Sequence, residues 1–256
     1  MIEVKKLSKS FAAPVLQDIS FVFEKGSMNY IIGKSGSGKS VLLKCMVGLY
    51  EPDAGAVLFD GDNFTTMPLR NRREVRKKIG MLFQSSALFD SLTVEENVMF
   101  PLRLFTRQST SAMKDRARFC LQRVGIEGRN SHFPNQISGG MQKRVAIARA
   151  IAMNPQYLFC DEPNSGLDPQ TSIRIDELIQ SITDEFQSTT VVVSHDMNSV
   201  LETADKILFI SEGKAAWKGD RESILDTDVP SVQDFVYASK FMQRIRQTMR
   251  AHRPQT

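Results

Sequence analysis

A run of glycine, serine and lysine, GKSGSGKS, occupies residues 33–40 and is suited to holding phosphate. It fits the pattern GxxxxGK[ST], in which glycines let backbone N–H groups wrap a phosphate. Lys39 would reach the β- and γ-phosphates of a nucleotide, and the Ser40 hydroxyl would bind Mg²⁺. An apolar run at residues 30–32 precedes the motif and an apolar-periodic segment at residues 41–49 follows it. This strand–loop–helix context favours a phosphate-binding loop over a merely flexible one.

Two adjacent carboxylates, Asp161 and Glu162, follow the apolar run at residues 157–160. At the end of a buried strand beside a phosphate loop, one carboxylate can hold Mg²⁺ and the other can take a proton from an attacking water. Acidic residues at strand ends are common by themselves. Together with residues 33–40, however, the pair predicts nucleotide hydrolysis.

Three further motifs stand where predicted elements begin or end. Ser138, Gly139 and Gly140 precede a predicted helix, and free N–H groups at a helix start can bind phosphate, although a plain N-cap is the alternative. His195 and Gln84 each follow a short apolar strand. We therefore expect the imidazole and the amide to lie near the same sheet edge as the phosphate loop.

The composition is that of an ordinary globular protein, with 41% hydrophobic and 24% charged residues in 256 and a net charge of +4. It excludes a disordered chain and does not by itself indicate a nucleic-acid partner. No stretch approaches the roughly 18 apolar residues that cross a bilayer, and no secretory signal is expected. Three cysteines without a CxxC pair predict buried reduced thiols rather than disulfides or a zinc site: Cys45, Cys120 and Cys160.

Two hydrophobic patterns predict two kinds of strand. In residues 1–32 apolar side chains alternate with charged ones, as on half-buried strands. The runs at residues 157–160, 190–193 and 207–210 are apolar throughout, which is typical of parallel strands covered on both faces. An amphipathic helix, about residues 170–186, lies between two of them. We expect an α/β fold with a mainly parallel core sheet.

The middle of the chain, residues 93–153, is predicted to be mainly helical. Thr93 is expected to cap the first helix, and Pro101 to break or kink it. Six basic side chains within residues 70–78 predict a solvated helix face rather than a phosphate or lipid-headgroup patch.

In this order, the motifs resemble those of the ATP-binding cassette (ABC) ATPases over about residues 1–225. The resemblance implies a P-loop ATPase domain at residues 1–228, with an N-terminal antiparallel β subdomain and a helical subdomain inserted at about residues 86–153. It also implies ATP and Mg²⁺ as substrate and cofactor, and an extension at residues 229–256.

The same resemblance implies a role for each motif. Phe11 would stack on adenine, Gln84 would contact Mg²⁺ and sense a permease, and His195 would be the switch histidine. Glu162 would be the general base and Asp161 a Walker B metal ligand, while Asp168 belongs to the D-loop. The implied nucleotide-binding residues are Phe11, Gly33, Lys34, Ser35, Gly36, Ser37, Gly38, Lys39, Ser40, Val41, Gln84, Ser138, Gly139, Gly140 and Asp168; the implied metal ligands are Ser40, Gln84 and Asp161; the implied catalytic residues are Lys39, Gln84, Glu162 and His195.

Two residues depart from the usual family pattern. Met141 replaces the glutamine of the LSGGQ signature, which leaves the backbone donors of residues 138–140 in place, and Gly166 replaces a frequent alanine in the D-loop. In the family, two copies pair head to tail, so that ATP lies between residues 33–40 of one copy and the signature of the other.

The segment FQSSALFDSLTVEENVMFPLR, residues 83–103, resembles ATPases of the Mla (maintenance of lipid asymmetry) subgroup, as does Met141. That resemblance implies a complex of two copies with a membrane permease and an MCE-domain protein, and in some relatives a STAS-domain protein, at the cytoplasmic face of the bacterial inner membrane. The substrate class would be phospholipid. The alternatives are an importer of small molecules such as polar amino acids, and a ribosome- or DNA-directed ATPase, which the single cassette without sustained heptads disfavours.

Residues 229–256 predict a basic amphipathic helix. Apolar side chains from Phe235 and Ala238 through Phe241 or Met242 to Ile245 and Met249 recur at helical spacing, with arginines at the other positions. Packing on its own domain, docking on a second subunit or accessory protein, and binding a membrane surface remain open.

Overall fold

The computed structural model describes residues 1–240 and 242–244, which form two β-sheets and eight α-helices. The strands are β1 Ile2–Ser10, β2 Pro14–Phe23, β3 Ser27–Ile32, β4 Ala54–Phe59, β5 Asp62–Asn63, β6 Ile79–Leu82, β7 Tyr157–Asp161, β8 Thr189–Ser194, β9 Lys206–Ser211 and β10 Lys214–Gly219. The helices are α1 Lys39–Met46, α2 Leu69–Lys77, α3 Val94–Phe105, α4 Thr110–Arg123, α5 Gly139–Ile151, α6 Pro169–Phe186, α7 Met197–Thr203 and α8 Pro230–Val236.

The first sheet is antiparallel, in the strand order β2-β1-β4-β5. Ile2, Val4 and Leu7 of β1 are buried while their neighbours are more exposed, which is the pattern of a sheet with one face on the core. The alternation in residues 1–32 therefore predicted this sheet correctly.

The second sheet holds the core of the molecule, in the order β10-β9-β3-β8-β7-β6. All neighbouring pairs are parallel except β9 and β10. Every residue of β7 and β8 is buried, and so is every residue of β3 except Ser27. The uninterrupted apolar runs are thus strands covered on both faces, as predicted.

Three helices, α3, α4 and α5, lie between β6 and β7 in the chain, although these two strands pair directly. Thr93 caps α3 in a capping box with Glu96, which confirms the predicted helix start. Of the two outcomes expected at Pro101, a break or a kink, the break is wrong, because α3 continues to Phe105. Burial of Val98 and Leu102 on the face that packs against α4 and α5 compensates for the hydrogen bond that proline removes.

Two apolar clusters cover the faces of the second sheet. Alternate residues of β3 show the division, since Tyr30 and Ile32 pack with the helical block while Ile31 packs with α1 and the first sheet.

All three cysteines lie in these clusters with free, buried thiols, and burial raises the pKa of Cys45 to about 11. The basic run forms α2, none of whose residues is buried, which confirms a solvated helix.

The start of the C-terminal extension packs on the core. Val232, Val236 and Tyr237 are buried, and the Phe235 ring meets Phe209 of β9 edge-on at 5.4 Å. Of the amphipathic helix predicted over residues 229–256, the structure shows α8 at Pro230–Val236, which ends there, and Ala238 is exposed; the rest of the helix stays a prediction. The predicted apolar positions Phe241, Ile245 and Met249 lie outside the described residues.

None of the helices in the described ranges is long and apolar enough to cross a bilayer.

Candidate functional site

The glycine-rich loop lies between β3 and α1, where its backbone requires glycine. Gly33, Gly36 and Gly38 have φ angles of 148°, 79° and 106°, in the region that disfavours side chains. A Cβ on Gly33 would also stand 2.2 Å from the carbonyl oxygen of Ile210 in β9. The loop is therefore held close against the sheet, and no other residue type fits its first position.

Lys39 is the first residue of α1, and its side chain folds back onto the glycine-rich loop. Its Nζ donates to the carbonyl oxygens of Gly33 at 2.9 Å and Lys34 at 3.1 Å. Burial lowers the pKa of this ammonium, whereas Glu162 and Asp161 act in the opposite direction. Inside the loop, the buried Ser37 Oγ has no hydrogen-bond partner among the described residues. A cationic side chain and an unpaired buried hydroxyl in one loop fit a phosphate group.

Ser40 and Asp161 come together from different elements. The Ser40 hydroxyl, in the first turn of α1, donates to Asp161 Oδ1 at the end of β7 over 3.2 Å. A hydroxyl beside a carboxylate is a hard oxygen donor set that suits Mg²⁺. Gln84 lines the same cleft as Ser40, with its Nε2 donating to Ser165 Oγ at 3.2 Å. The predicted metal-ligating residues thus fit this ion.

Glu162 and His195 form a hydrogen-bonded pair, with 2.8 Å between Glu162 Oε2 and His195 Nδ1. The Glu162 side chain is 14% exposed and that of His195 is 64% exposed, so the carboxylate lies inside and the imidazole outside. Glu162 has a φ of 49°, a strained conformation for a residue with a side chain. This carboxylate, oriented by the imidazole, is placed to accept a proton.

The order of the strands explains why these groups meet. The glycine-rich loop follows β3, His195 follows β8, Glu162 follows β7, and Gln84 comes shortly after β6, and these four strands are consecutive neighbours. They enclose a cleft of about 570 Å³ at the carboxyl edge of the sheet. The cleft is lined by Val15, Lys34, Ser35, Gly36, Gly38, Lys39, Ser40, Val41, Gln84, Glu162, His195 and Phe235.

Phe11 is not among the residues that line this cleft. It lies in the connection between β1 and β2, is 55% exposed, and meets the Tyr50 ring edge-on at 5.3 Å. Val15 and Phe235 line the cleft instead, and the motifs pointed to neither of them.

The signature residues also lie outside the cleft. Ser138 is exposed and caps α5, its Oγ accepting a hydrogen bond from the Met141 N–H at 3.3 Å. Gly139 and Gly140 are the first residues of α5, and none of the three lines the cleft. Within one chain the structure therefore does not bring the signature to the phosphate loop.

Asp168 caps α6 and is likewise absent from the cleft lining. Its carboxylate accepts hydrogen bonds from the Thr171 N–H at 3.0 Å and the Thr171 hydroxyl at 2.6 Å. These two bonds hold the pKa of this carboxyl below its usual value.

A second cavity, an apolar groove of about 470 Å³, lies beside the segment that follows β6. Phe89, 41% exposed, and Leu104, 53% exposed, line it. Arg149 of α5 borders it and donates to the backbone oxygens of Ser86 and Ala87 at 2.7 Å and 2.6 Å. Sequence reasoning missed Arg149, although a cation within the apolar pattern of α5 was a visible signal.

Comparisons with known proteins agree with this geometry. A family model described as ABC transporter matches residues 16–165. The chain is 37% identical, over 92% of its length and 68% of the relative, to a protein of Mycobacterium leprae described as a probable ribonucleotide transport ATP-binding protein, mkl. It is 38% identical to the arginine transport ATP-binding protein ArtM of Bacillus subtilis, over 92% of its length and 98% of ArtM. It spans 67% of the methionine import ATP-binding protein MetN of Desulfitobacterium hafniense, at 39% identity over 88% of its own length.

Solved structures show the same architecture. A dimeric bacterial ABC transporter cassette, MJ0796, superposes with a TM-score of 0.80 at 33% identity, covering 86% of this chain and 99% of that one. A dimer of the same cassette in a post-hydrolysis state bound to ADP and Pi gives 0.79. CbiO1 from Clostridium perfringens, part of the transporter complex cbiONQ, gives 0.82 at 27% identity, covering 97% and 98%.

Proposed function

Since the chain belongs to the ABC transporter ATPases, we propose that it is the subunit that hydrolyses ATP to power phospholipid transport between the inner and outer membranes. Membership of this family establishes the ABC-type P-loop ATPase fold, ATP as the substrate and Mg²⁺ as the cofactor. The transported substrate, the partners beyond a permease and the role of each site residue belong to the proposal.

The arrangement of charge in the cleft supports hydrolysis. Lys39 and the N–H groups of the glycine-rich loop bind the β- and γ-phosphates. Ser40, Asp161 and Gln84 would hold Mg²⁺, which when bound neutralises phosphate charge. Glu162 takes a proton from the attacking water, and His195, 2.8 Å away, orients that carboxylate.

A second copy of the chain completes the site. Ser138, Gly139 and Gly140 offer a hydroxyl and free N–H groups at a helix start, but they lie outside the cleft of their own chain. We infer that they close the cleft of a partner copy over ATP, in the head-to-tail arrangement of the family.

The groove beside residues 83–89 is the surface that fits a membrane permease. Exposed Phe89 and Leu104 form the apolar floor of the groove. Arg149 joins the backbone of the groove wall to α5, the helix that Ser138 caps. A large apolar side chain inserted here would bury surface that the isolated chain leaves in water. Such a contact would place the chain at the cytoplasmic face of the inner membrane.

The lipid assignment rests on one observation, a resemblance in sequence, and part of the segment that carries it lines this groove. The segment at residues 83–103 and Met141 resemble the Mla subgroup. We propose an MCE-domain protein as a partner reached through the permease, and a STAS-domain protein as a further one; no nucleic-acid partner is proposed.

Relatives favour a second candidate, a small-molecule importer. ArtM and MetN are named for arginine and methionine transport, and ArtM is matched over 98% of its length. The two candidates predict different companions, since amino-acid importers work with a solute-binding protein and the lipid system with an MCE-domain protein.

Affinity purification of the tagged chain from detergent-solubilised membranes separates these candidates. Recovery of a permease with an MCE-domain protein supports lipid transport, whereas recovery with a solute-binding protein supports the importer. Phe89→Asp should abolish permease recovery because it places a charge on the groove floor. Phe119→Asp, at a phenylalanine 45% exposed on α4 that does not line the groove, is the matched control and should leave recovery intact.

A further inference from the structure

A buried carboxylate that takes no part in the chemistry above lies behind the Glu162–His195 pair. Asp176 of α6 is 3% exposed, and no lysine, arginine or histidine of the described ranges forms an ion pair with it. Burial raises the pKa of this carboxyl, and hydrogen bonds from Ser199 and Asn164 partly offset that effect. An unpaired carboxylate costs folding stability where a leucine would not. Its presence calls for a role other than packing.

The hydrogen bonds of Asp176 join two loops of the site. One carboxylate oxygen, Oδ2, accepts from Asn164 Nδ2 at 2.8 Å and from the Ser199 hydroxyl at 2.6 Å. Asn164 Nδ2 also lies 3.0 Å from Ser199 Oγ, which closes a triangle of three side chains. Each member comes from a different place: Asp176 from α6, Asn164 from the loop after β7, and Ser199 from α7.

The two joined loops are those that carry the proposed base and its orienting imidazole. Asn164 follows Glu162 by two positions, and Ser199, in the first turn of α7, follows His195 by four. The same two loops are therefore tied twice, once by the solvent-exposed Glu162–His195 hydrogen bond and once by the buried triangle. Asp176 and Ser199 are each 3% exposed, whereas the His195 side chain is 64% exposed, so the Asp176–Ser199 hydrogen bond is the better shielded of the two ties.

We propose that Asp176 is a positioning residue, whose carboxylate holds the Glu162 loop against the helix after His195 and keeps these two side chains aligned for hydrolysis. This inference rests on the proposed roles of Glu162 and His195. Strain at Glu162 supports it, because a φ of 49° persists only where the surroundings over-determine the backbone. Among the described residues no hydrogen bond or ion pair joins Asp176 to either member of the pair, so it acts on them through Asn164 and Ser199.

The test measures steady-state ATP hydrolysis and nucleotide affinity of the purified full chain. Asp176→Ala removes the acceptor and should lower kcat about tenfold or more, while KM and the Kd for ATP stay within about twofold, because the phosphate loop is untouched. Ser199→Ala deletes one hydroxyl in a well-packed helix and should lower kcat by about threefold. Asp176→Asn retains an acceptor oxygen and should restore most of the loss.

A variant on the same helix controls for general destabilisation. Thr183 of α6 is fully buried, and its hydroxyl lies 2.7 Å from that of Thr190 in the core. Thr183→Val should lower the melting temperature while leaving kcat unchanged. If it lowers kcat as much as Ser199→Ala does, the proposal is overturned, since the loss then reflects stability alone.

Combination with His195→Ala is the deciding measurement. If Asp176 works through the Glu162–His195 pair, Asp176→Ala has no further effect on kcat once His195 is absent. An equal fold-loss in both backgrounds overturns the positioning role. If the Glu162→Gln and His195→Ala variants hydrolyse ATP at the normal rate, the site assignment has failed and this inference fails with it. If those two variants are impaired but the Asp176 and Ser199 variants hydrolyse ATP at the normal rate, the inference alone has failed.

Discussion

The imidazole of His195 and the carboxylate of Glu162 lie 2.8 Å apart although 33 positions separate them in the chain. They meet because β7 and β8 are parallel neighbours, so that the residues following each strand emerge at the same edge. The glycine-rich loop emerges at this edge from β3, on the other side of β8. A single strand order thus places the proposed proton acceptor beside the proposed phosphate-binding loop.

Glu162→Gln should retain ATP binding and lose most hydrolysis. The amide cannot accept the proton of the attacking water, and we expect kcat to fall by about 10²-fold or more. Steady-state hydrolysis and equilibrium ATP binding measure the two effects. ATP should also shift this variant to a dimer in size-exclusion chromatography with light scattering. Hydrolysis at the normal rate would show that another group is the base.

Met141→Gln should change hydrolysis by less than about threefold. Met141 is half-buried against the apolar cluster, whereas the exposed Ser138 hydroxyl and the N–H groups of Gly139 and Gly140 are the donors that remain available. Ser138→Ala, which removes one of these donors, is the matched comparison and should have the larger effect on kcat. A change of more than tenfold on introducing glutamine would assign a contact to this side chain.

Glu96→Gln should reduce stability in a pH-dependent way. Backbone and side-chain hydrogen bonds from Thr93 hold the pKa of the Glu96 carboxyl below its usual 4.5. The ionised form therefore stabilises the fold above pH 4.5, and this contribution is lost as the pH falls through the lowered value. We expect a difference of about 0.5 kcal/mol at pH 7, because the group is exposed and screened.

Urea unfolding at several pH values measures this difference between Glu96→Gln and the unmodified chain. Ser109→Ala, which removes the uncharged cap of α4, should destabilise equally at each pH. A Glu96→Gln effect that does not shrink in acid contradicts the assigned cause.

Ending the chain before Pro230 should destabilise the whole domain. Val232, Val236 and Tyr237 are buried against the core, and each large apolar side chain contributes about 1.5–3 kcal/mol when buried. A chain that ends after Arg244 keeps all three contacts and is the control. Urea midpoints of the two chains should differ clearly; equal midpoints would show that α8 contributes little to the core.

Much of the site could be predicted from the sequence because its parts are local. A phosphate-binding glycine-rich loop is recognised by the strand before it and the helix after it. Asp161 and Glu162 are recognised by their position directly after an apolar run. Thr93 with Glu96 marks a helix start for the same reason, since a cap acts within one turn. The fold class followed from uninterrupted apolar runs alternating with helices.

Other features depended on contacts between distant segments. The helix containing Pro101 continues because α4 and α5 cover its buried face, and α8 stops at Val236 although the apolar pattern of the sequence runs on beyond it. Phe235, which the motifs did not indicate, lines the cleft, whereas Phe11, which was expected at the nucleotide, does not. A single sequence gives no signal for such long-range packing.

The sequence by itself determined which chemical groups are present and on which strand ends they stand, because hydrogen bonding and hydrophobic burial within a segment depend mainly on its own residues. Only the tertiary structure decided which ends are neighbours, that Ser138 lies apart from the loop at residues 33–40, and that Asp176 joins two loops of the site. Strand order and helix packing are settled by burial summed over the whole chain, and no local pattern encodes that sum.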